Sequence, residues 1–136
     1  MGAQAVSTID RPFAPPLECV MDLPFPPSTN RIWSHAGRKV ILSPEYRRWK
    51  DQADMAVVAN GCWRARVVMP AHFTALILLD VGRRKGDADN RIKACLDWAQ
   101  RLGLVTNDSL CDEVTARWVP THEAPHGCRL VLRSVA

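Results

Sequence analysis

Two aspartates at a short spacing, Asp87 and Asp89, stand between an apolar segment and a segment with helical periodicity. In an extended chain, residues two apart point to the same side, so both carboxylates are expected to converge on one cation. Lys93 follows Asp89 by four residues and is expected one helical turn along the same face. Carboxylate oxygens suit Mg²⁺, which retains several waters and accepts phosphate oxygens. The spacing predicts metal-assisted phosphodiester hydrolysis, with Lys93 offsetting phosphate charge or positioning the water.

A third acid, Asp108, follows the next helix-like segment. A helix of about three turns followed by a return of the chain is expected to bring Asp108 beside Asp87 and Asp89. Three clustered carboxylates repel one another unless a cation binds or one of them holds a proton. The alternative is that Asp89 or Asn90 only caps the helix while Asp87 is solvated, and the spacing alone leaves both interpretations open.

Other metal sites fit the sequence less well. A calcium loop that starts at Asp87 needs a bidentate Glu at its twelfth position, where Trp98 stands. A zinc site built from His122, His126 and Cys128 is disfavoured because no CxxC pair stands upstream of them. The sequence therefore favours a site made of carboxylates.

The charge balance indicates a polyanionic partner. The net charge is +4 and the pI is about 9.0. Six basic residues fall within twenty positions that contain Glu45 as the only acid, namely Arg31, Arg38, Lys39, Arg47, Arg48 and Lys50. The alternative is that these side chains merely solvate the faces of a helix and a hairpin, because net charge constrains association rather than fold.

The length and composition fit one globular domain. A chain of 136 residues with 47% apolar and 24% charged residues has material for a single core. The five cysteines form no CxxC pair and are odd in number, which indicates a reducing, cytoplasmic compartment, and Cys95 is expected in the core. The longest apolar run, residues 75–79, is far below the roughly 20 residues that cross a bilayer, so we expect neither membrane insertion nor export.

The first half of the chain predicts a leader, a strand, a hairpin and a helix. Residues 1–16 lack periodicity and are expected to form a flexible leader before a domain of residues 17–136. A strand is expected at residues 19–23, and a hairpin at residues 31–35 and 38–42. Ser43 and Pro44 suit the start of a helix, which Asn60 and Gly61 are expected to end.

The second half predicts a central strand, a helix and two further strands. Residues 74–81 are nearly all apolar, which is typical of a strand covered on both faces. Residues 91–102 carry an apolar stripe that predicts a second helix. Residues 114–119 and 128–135 are expected to close the chain as an antiparallel pair, joined by a loop at 120–127 that is long enough to reach a substrate.

Three blocks of the sequence carry a resemblance to a known family. They are PPSTNRIW at residues 26–33, DADNRIK at residues 87–93 with Asp97 beyond it, and GLVTNDS at residues 103–109. In this order, they resemble the RusA-type crossover-junction endodeoxyribonucleases, small resolvases of phage and prophage origin. The resemblance extends from Cys19 to Val135.

The resemblance implies a fold, an activity and a set of site residues. The implied fold is α+β, a single domain with a mixed β-sheet and two main α-helices packed on it. The implied enzyme is a homodimer that uses Mg²⁺, for which Mn²⁺ is expected to substitute, to make paired symmetric nicks in a four-way DNA junction. By resemblance, Asp87, Asp89 and Asp108 are the metal-binding catalytic carboxylates and Lys93 is the catalytic lysine.

The chain departs from the family pattern at one point. The family often has two adjacent acids where this chain has Asn107 and Asp108. The metal role is therefore carried over to Asp108 alone, with Asp112 as a reserve ligand. Asn30 and Asn90 are expected to be accessory residues, and Trp33 is expected in the core rather than stacked on DNA.

A twofold dimer also has a physical rationale, because a four-way junction is itself approximately twofold symmetric. Recognition is expected to depend on junction shape and on phosphate contacts. The predicted contacts are Arg38, Lys39, Arg47, Arg48, Arg83, Arg84 and Lys85. Two other functions remain open at this point, a DNA-binding protein without catalysis and a nuclease that cuts flaps or forks.

Overall fold

Within the part of the chain that the structure describes, the main sheet contains four of the six strands, in the order β1-β6-β4-β5. The computed structural model describes residues 17–59 and 68–135. The strands are β1 (Glu18–Pro24), β2 (Trp33–Ala36), β3 (Lys39–Leu42), β4 (Phe73–Asp80), β5 (Cys111–Val119) and β6 (Gly127–Ser134), and the helices are α1 (Pro44–Ala59) and α2 (Ile92–Leu102). β4 pairs antiparallel with β6 and parallel with β5. The mixed sheet and the two helices confirm the predicted α+β fold.

The predicted closing pair of strands is wrong. β5 and β6 are not neighbours, because β4 lies between them and pairs with both. The reason is the crossover through α2, which returns the chain to the end of the sheet where β4 began, so that β5 runs parallel to β4. The apolar β4 then occupies an interior position in the sheet. Its last four residues are all buried, as expected for a strand covered on both faces.

Both helices begin or end as their sequences indicate. The hydroxyl of Ser43 accepts a hydrogen bond from the backbone N–H of Tyr46 at 3.0 Å, which caps α1. α2 ends at Gly103, whose φ of +85° is the left-handed conformation that favours glycine. The predicted end of α1 at residues 60–61 lies outside the described residues, as does the predicted leader at residues 1–16.

The core lies between one face of the sheet and both helices. Buried Trp49 of α1 and Trp98 of α2 meet edge to face, with ring centroids 6.5 Å apart. Cys95 is fully buried, as predicted. The opposite face of the sheet is covered at the β4–β5 end by the segment before β6, where Ala124 is fully buried beside Leu78. The loop at 120–127 is thus packed on the sheet.

The strands β2 and β3 form the predicted hairpin, a separate two-stranded sheet. Trp33 is 51% exposed on this hairpin, so its predicted place in the core is wrong. Its neighbour Ile32 occupies the core instead, at 1% exposure. No helix within residues 17–59 and 68–135 is long and apolar enough to cross a membrane.

Candidate active site

Residues 81–91, which carry the paired aspartates and are called the aspartate loop here, begin directly after Asp80, the last residue of β4. Asp80 is 6% exposed, and its carboxylate accepts hydrogen bonds from the Thr121 hydroxyl at 2.7 Å and the Gly82 backbone N–H at 2.9 Å. Both bonds stabilise the ionised form, so they lower the pKa of Asp80, the Thr121 hydroxyl contributing most. Asp80 therefore joins the start of this loop to the segment after β5.

Asp87 and Asp89 do not share an extended segment, contrary to the expectation from their spacing. Asp87 has extended backbone angles, with φ of −92° and ψ of 145°. Asp89 already lies within a 3-10 helix, Ala88–Arg91, that leads directly into α2. The helix-capping alternative is also wrong, because Arg91 occupies the N-cap position of α2 and Asp87 that of the 3-10 helix, neither with a side-chain capping bond. Both aspartates are exposed.

The buried side chain of Arg91 holds the aspartate loop in place through hydrogen bonds. Its side chain is buried at 7% exposure, and its guanidinium donates from Nη2 to the carbonyl oxygen of Lys85 at 2.8 Å and from Nη1 to that of Pro26 at 2.9 Å. The guanidinium also lies 4.8 Å from the ring centroid of Phe25. Burial lowers the pKa of Arg91, while Glu45 raises it, and an arginine remains a cation under both influences.

A second contact joins the first sequence block, residues 26–33, to the aspartate block, residues 87–93. The Thr29 hydroxyl donates to the backbone carbonyl of Asn90 at 3.0 Å. Further along the same surface, the ring of Phe25 stacks on Trp118 at 6.0 Å, and the guanidinium of Arg84 lies 5.6 Å from the Trp118 ring centroid. The turn that follows β1 therefore serves as a support for the loop that carries Asp87.

A cleft of about 610 Å³ opens between this turn, α1 and the aspartate loop. Of the predicted catalytic, metal-binding and accessory residues, Asn30, Asp87 and Asn90 line it. The charged residues in its lining are the cations Arg31, Arg48, Arg83, Lys85 and Arg91 and the carboxylates Glu45 and Asp87. Five cations against two carboxylates favour an anionic ligand in the cleft.

The predicted phosphate contacts are divided between the cleft and its surroundings. Arg48, Arg83 and Lys85 line the cleft, whereas Arg38, Lys39, Arg47 and Arg84 do not. All seven are exposed. Arg38 and Lys39 lie at the turn of the hairpin, Arg47 lies on α1, and Arg84 covers Trp118.

Asp108 and Lys93 do not line this cleft. The backbone N–H of Asp108 donates to Oε1 of Gln100 at 2.8 Å, near the far end of α2. Gln100 is eight residues beyond Ile92, so about 12 Å of helix separates it from the start of α2. The Lys93 ammonium pairs with the carboxylate of Asp97 at 3.1 Å on the outer face of the helix.

The single chain therefore does not bring the three predicted carboxylates together. Among the residues that the structure describes, no group of three or more His, Cys, Asp or Glu side chains is arranged to hold a metal ion. The reserve ligand Asp112 instead pairs with His72, at 2.7 Å between Oδ1 and Nδ1. Asp87 and Asp89 lie at one end of α2, and Asp108 and Asp112 lie toward the other.

Sequence reasoning missed Arg91 and Asp80 as residues that position the site. The sequence around Arg91 gives no sign that it is buried, because its burial depends on Phe25 and Pro26, which are distant in the sequence. Asp80 ends an apolar strand, and a lone acid at such a position is a signal for a buried, hydrogen-bonded carboxylate.

Comparison with known proteins gives one family. The family model described as Endodeoxyribonuclease RusA matches residues 24–127 of the chain. The match covers the turn after β1, the whole aspartate loop, α2 and β5. No curated protein matches the chain.

Proposed function

Because this chain belongs to the RusA family of crossover-junction endodeoxyribonucleases, we propose that it resolves four-way DNA junctions by Mg²⁺-dependent paired nicks. The observation that carries this proposal is the basic cleft in which Asp87 lies, since it joins a hard carboxylate ligand to a phosphate-binding surface. Mn²⁺ is expected to substitute for Mg²⁺. The thiols of Cys95 and Cys128 are not joined in a disulfide, which fits action in the reducing cytoplasm.

The proposed catalytic groups are Asp87, Asp89, Asp108 and Lys93. Carboxylate oxygens are hard ligands that suit a magnesium ion, and the exposed Asp87 and Asp89 fit this donor set. A bound Mg²⁺ would polarise the phosphate and supply an activated water. Lys93, whose side chain is 47% exposed beside Asp97, would offset charge on the phosphate oxygens or orient the water, and Asn30 and Asn90 would assist from the cleft wall.

The proposed phosphate contacts are the exposed basic side chains around the cleft. Arg48, Arg83 and Lys85 would hold the strand that is cut, because they line the same cleft as Asp87. The others would hold DNA beyond it, namely Arg38, Lys39, Arg47 and Arg84. Such contacts make binding fall steeply with salt. Contacts to phosphates do not distinguish one base sequence from another, so the shape of the junction would determine which DNA is bound.

A twofold homodimer would complete the site. β5 is one of the two edge strands of the main sheet in the described chain, and five of its nine residues are exposed. If two copies of β5 pair antiparallel about a twofold axis, the segment before Cys111 of one copy lies beside the Val119 end of the other. That end lies near the aspartate loop, because Arg84 of the loop stacks on Trp118. The partner subunit's Asp108 would then approach Asp87 and Asp89.

Cleavage of a synthetic four-way junction tests the activity. With Mg²⁺, the chain is expected to make symmetric nicks, and chelation is expected to stop them. D89N is expected to abolish cutting while junction binding persists, and D51N, which removes an exposed carboxylate on α1, is the matched control. An intact junction after exhaustive incubation would refute the activity. Parallel assays on a flap, a fork and a linear duplex distinguish a resolvase from a broader branched-DNA nuclease.

Mixing two inactive variants tests the shared site. A heterodimer of D89N and D108N contains one site with both lesions and one intact site if each site combines Asp89 of one subunit with the partner's Asp108. Mixed and re-annealed variants are therefore expected to nick one strand of the junction, although each variant alone is inactive. If each site is built within one chain, every site carries a lesion and the mixture stays inactive.

A further inference from the structure

The hairpin of β2 and β3 presents an uncovered apolar surface. It pairs with no strand of the main sheet in the described chain. Trp33 is 51% exposed and Val40 is 57% exposed. An isolated two-stranded hairpin is only marginally stable in water, and a contiguous patch of exposed apolar side chains, unlike a single one, marks a binding surface.

One face of the hairpin collects these side chains. Directly opposed residues of an antiparallel pair share a face, and the pairs on this face are Trp33 with Leu42 and His35 with Val40. Leu42 is partly buried and packs against the core, so it anchors the face at the base of the hairpin. Trp33, His35 and Val40 form the exposed part, which we call the hairpin face.

The charges around the hairpin face fit nucleic acid. Residues 33–42 contain no acidic side chain, and Arg38 and Lys39 stand at the turn, where Gly37 adopts a φ of +64°. Proteins that bind unpaired strands combine such cations with an aromatic ring on which bases stack. In a linear duplex the base faces are covered by stacking on both sides, whereas the helical stack is interrupted at a branch point, so that unstacking a base there costs less.

The hairpin also begins beside the cleft. Asn30 and Arg31, just before β2, line the cleft with Asp87. The carbonyl oxygen of Ile32 accepts a hydrogen bond from the backbone N–H of Ser43 at 2.8 Å, which joins the base of the hairpin to the start of α1. A strand held in the cleft would therefore pass the base of the hairpin.

We propose that the hairpin face binds unstacked bases at the branch point of the DNA, with Trp33 as the stacking ring and Arg38 and Lys39 on the adjoining phosphates. This inference rests on the proposed function, because it assigns the part of the protein that distinguishes branched from linear DNA. Contacts in the cleft hold phosphates of any duplex, whereas the hairpin face requires a base that is free to stack.

The test uses four-way junctions with 2-aminopurine at one branch-point base and a linear duplex with the same label. Wild type is expected to change the fluorescence of the junction and not that of the duplex. W33A is expected to abolish this change and to weaken junction binding by roughly 5- to 150-fold, the range for one lost base-stacking contact. Duplex binding is expected to change less than about 2-fold, and W33F is expected to retain most of the fluorescence change.

M55A is the control for loss of an exposed apolar side chain, because Met55 is 72% exposed on α1. Equal losses of junction and duplex binding in W33A, or an unchanged fluorescence response, would overturn the proposal. So would a W33A protein that sediments as a monomer where wild type is a dimer, since the hairpin would then bind a second copy. If wild type fails to cut the junction, the proposed nuclease activity is refuted. The fluorescence assay still tests whether the hairpin face binds bases, because it does not depend on cleavage.

Discussion

The guanidinium of Arg91 and the carbonyl oxygen of Pro26 are joined by a hydrogen bond of 2.9 Å across 65 positions of sequence. The bond fastens the turn after β1 to the loop that carries Asp87. With the second bond from Arg91 to Lys85, it makes two distant sequence blocks into one wall of the basic cleft. The first block is thus a structural support for the second.

Loss of the Arg91 side chain is expected to reduce both the stability of the protein and its rate of junction cleavage. R91A removes both bonds to Pro26 and Lys85, and we expect a loss of about 2–3 kcal/mol in the free energy of unfolding. A loop that is no longer held also misplaces Asp87, so we expect junction cleavage to fall by about 10- to 100-fold in kcat, with a smaller change in KM. Urea unfolding and steady-state cleavage measure the two effects.

R91K is the companion variant, because an ammonium lacks the planar fork that reaches two carbonyl oxygens. We expect its kcat to lie between those of wild type and R91A. An R91A protein that is destabilised and yet cleaves at the wild-type rate would show that Arg91 does not position the loop.

The contact between Thr29 and Asn90 is expected to contribute less. T29V keeps the shape of the side chain and removes the hydroxyl that donates to the Asn90 carbonyl. One such bond contributes about 1 kcal/mol to stability, so a small fall in the urea midpoint is expected, with a modest decrease in cleavage. S28A, at a neighbouring position without a side-chain capping bond, is the control. Equal effects of the two substitutions would contradict the assignment.

Gly127 is expected to tolerate no side chain. Its φ is +116°, and a Cβ at this position would lie 2.7 Å from the backbone nitrogen of Phe25. Strain and overlap together are expected to cost G127A about 2–4 kcal/mol of unfolding free energy. G37A, with a φ of +64° and no heavy atom near the added Cβ, is expected to cost only about 1 kcal/mol. Chemical denaturation compares the two, and similar losses would refute the role of the Phe25 contact.

Asp80 is expected to make stability depend on acid pH. Its pKa is lowered in the folded state by the Thr121 hydroxyl and the Gly82 backbone N–H. Its contribution to stability is therefore complete above about pH 4, the range of an unperturbed aspartate, and is lost as pH falls through the lowered pKa. T121V removes the larger cause and is expected to reduce stability at pH 7 while flattening its decline below pH 4.

The measurement is the free energy of unfolding in urea from pH 2.5 to pH 7. T115V, a threonine-to-valine change on the exposed part of β5, is the matched control. If T121V and wild type lose stability in parallel as the pH falls, the bond to Asp80 does not cause the lowered pKa.

The local elements and the residue types of the aspartate block, residues 87–93, could be predicted from the sequence. Periodicity and capping residues mark α1 and α2 because a helix is decided by neighbours three and four positions apart. The continuous apolar run of β4 is also a local signal, because it lies within one short segment of the chain. The family could also be identified from the three ordered blocks, which depend only on residue types and spacing.

The neighbours of β4, the burial of Arg91 and the exposure of Trp33 could not be predicted locally and follow from the packing of the whole chain. These depend on residues far apart in the chain: β4 separates β5 from β6, and Phe25 and Pro26 enclose Arg91. The position of Asp108 is of the same kind, because the direction of α2 carries it away from Asp87. Tertiary packing determines whether such residues are in contact, and patterns within a short stretch of sequence do not predict these long-range contacts.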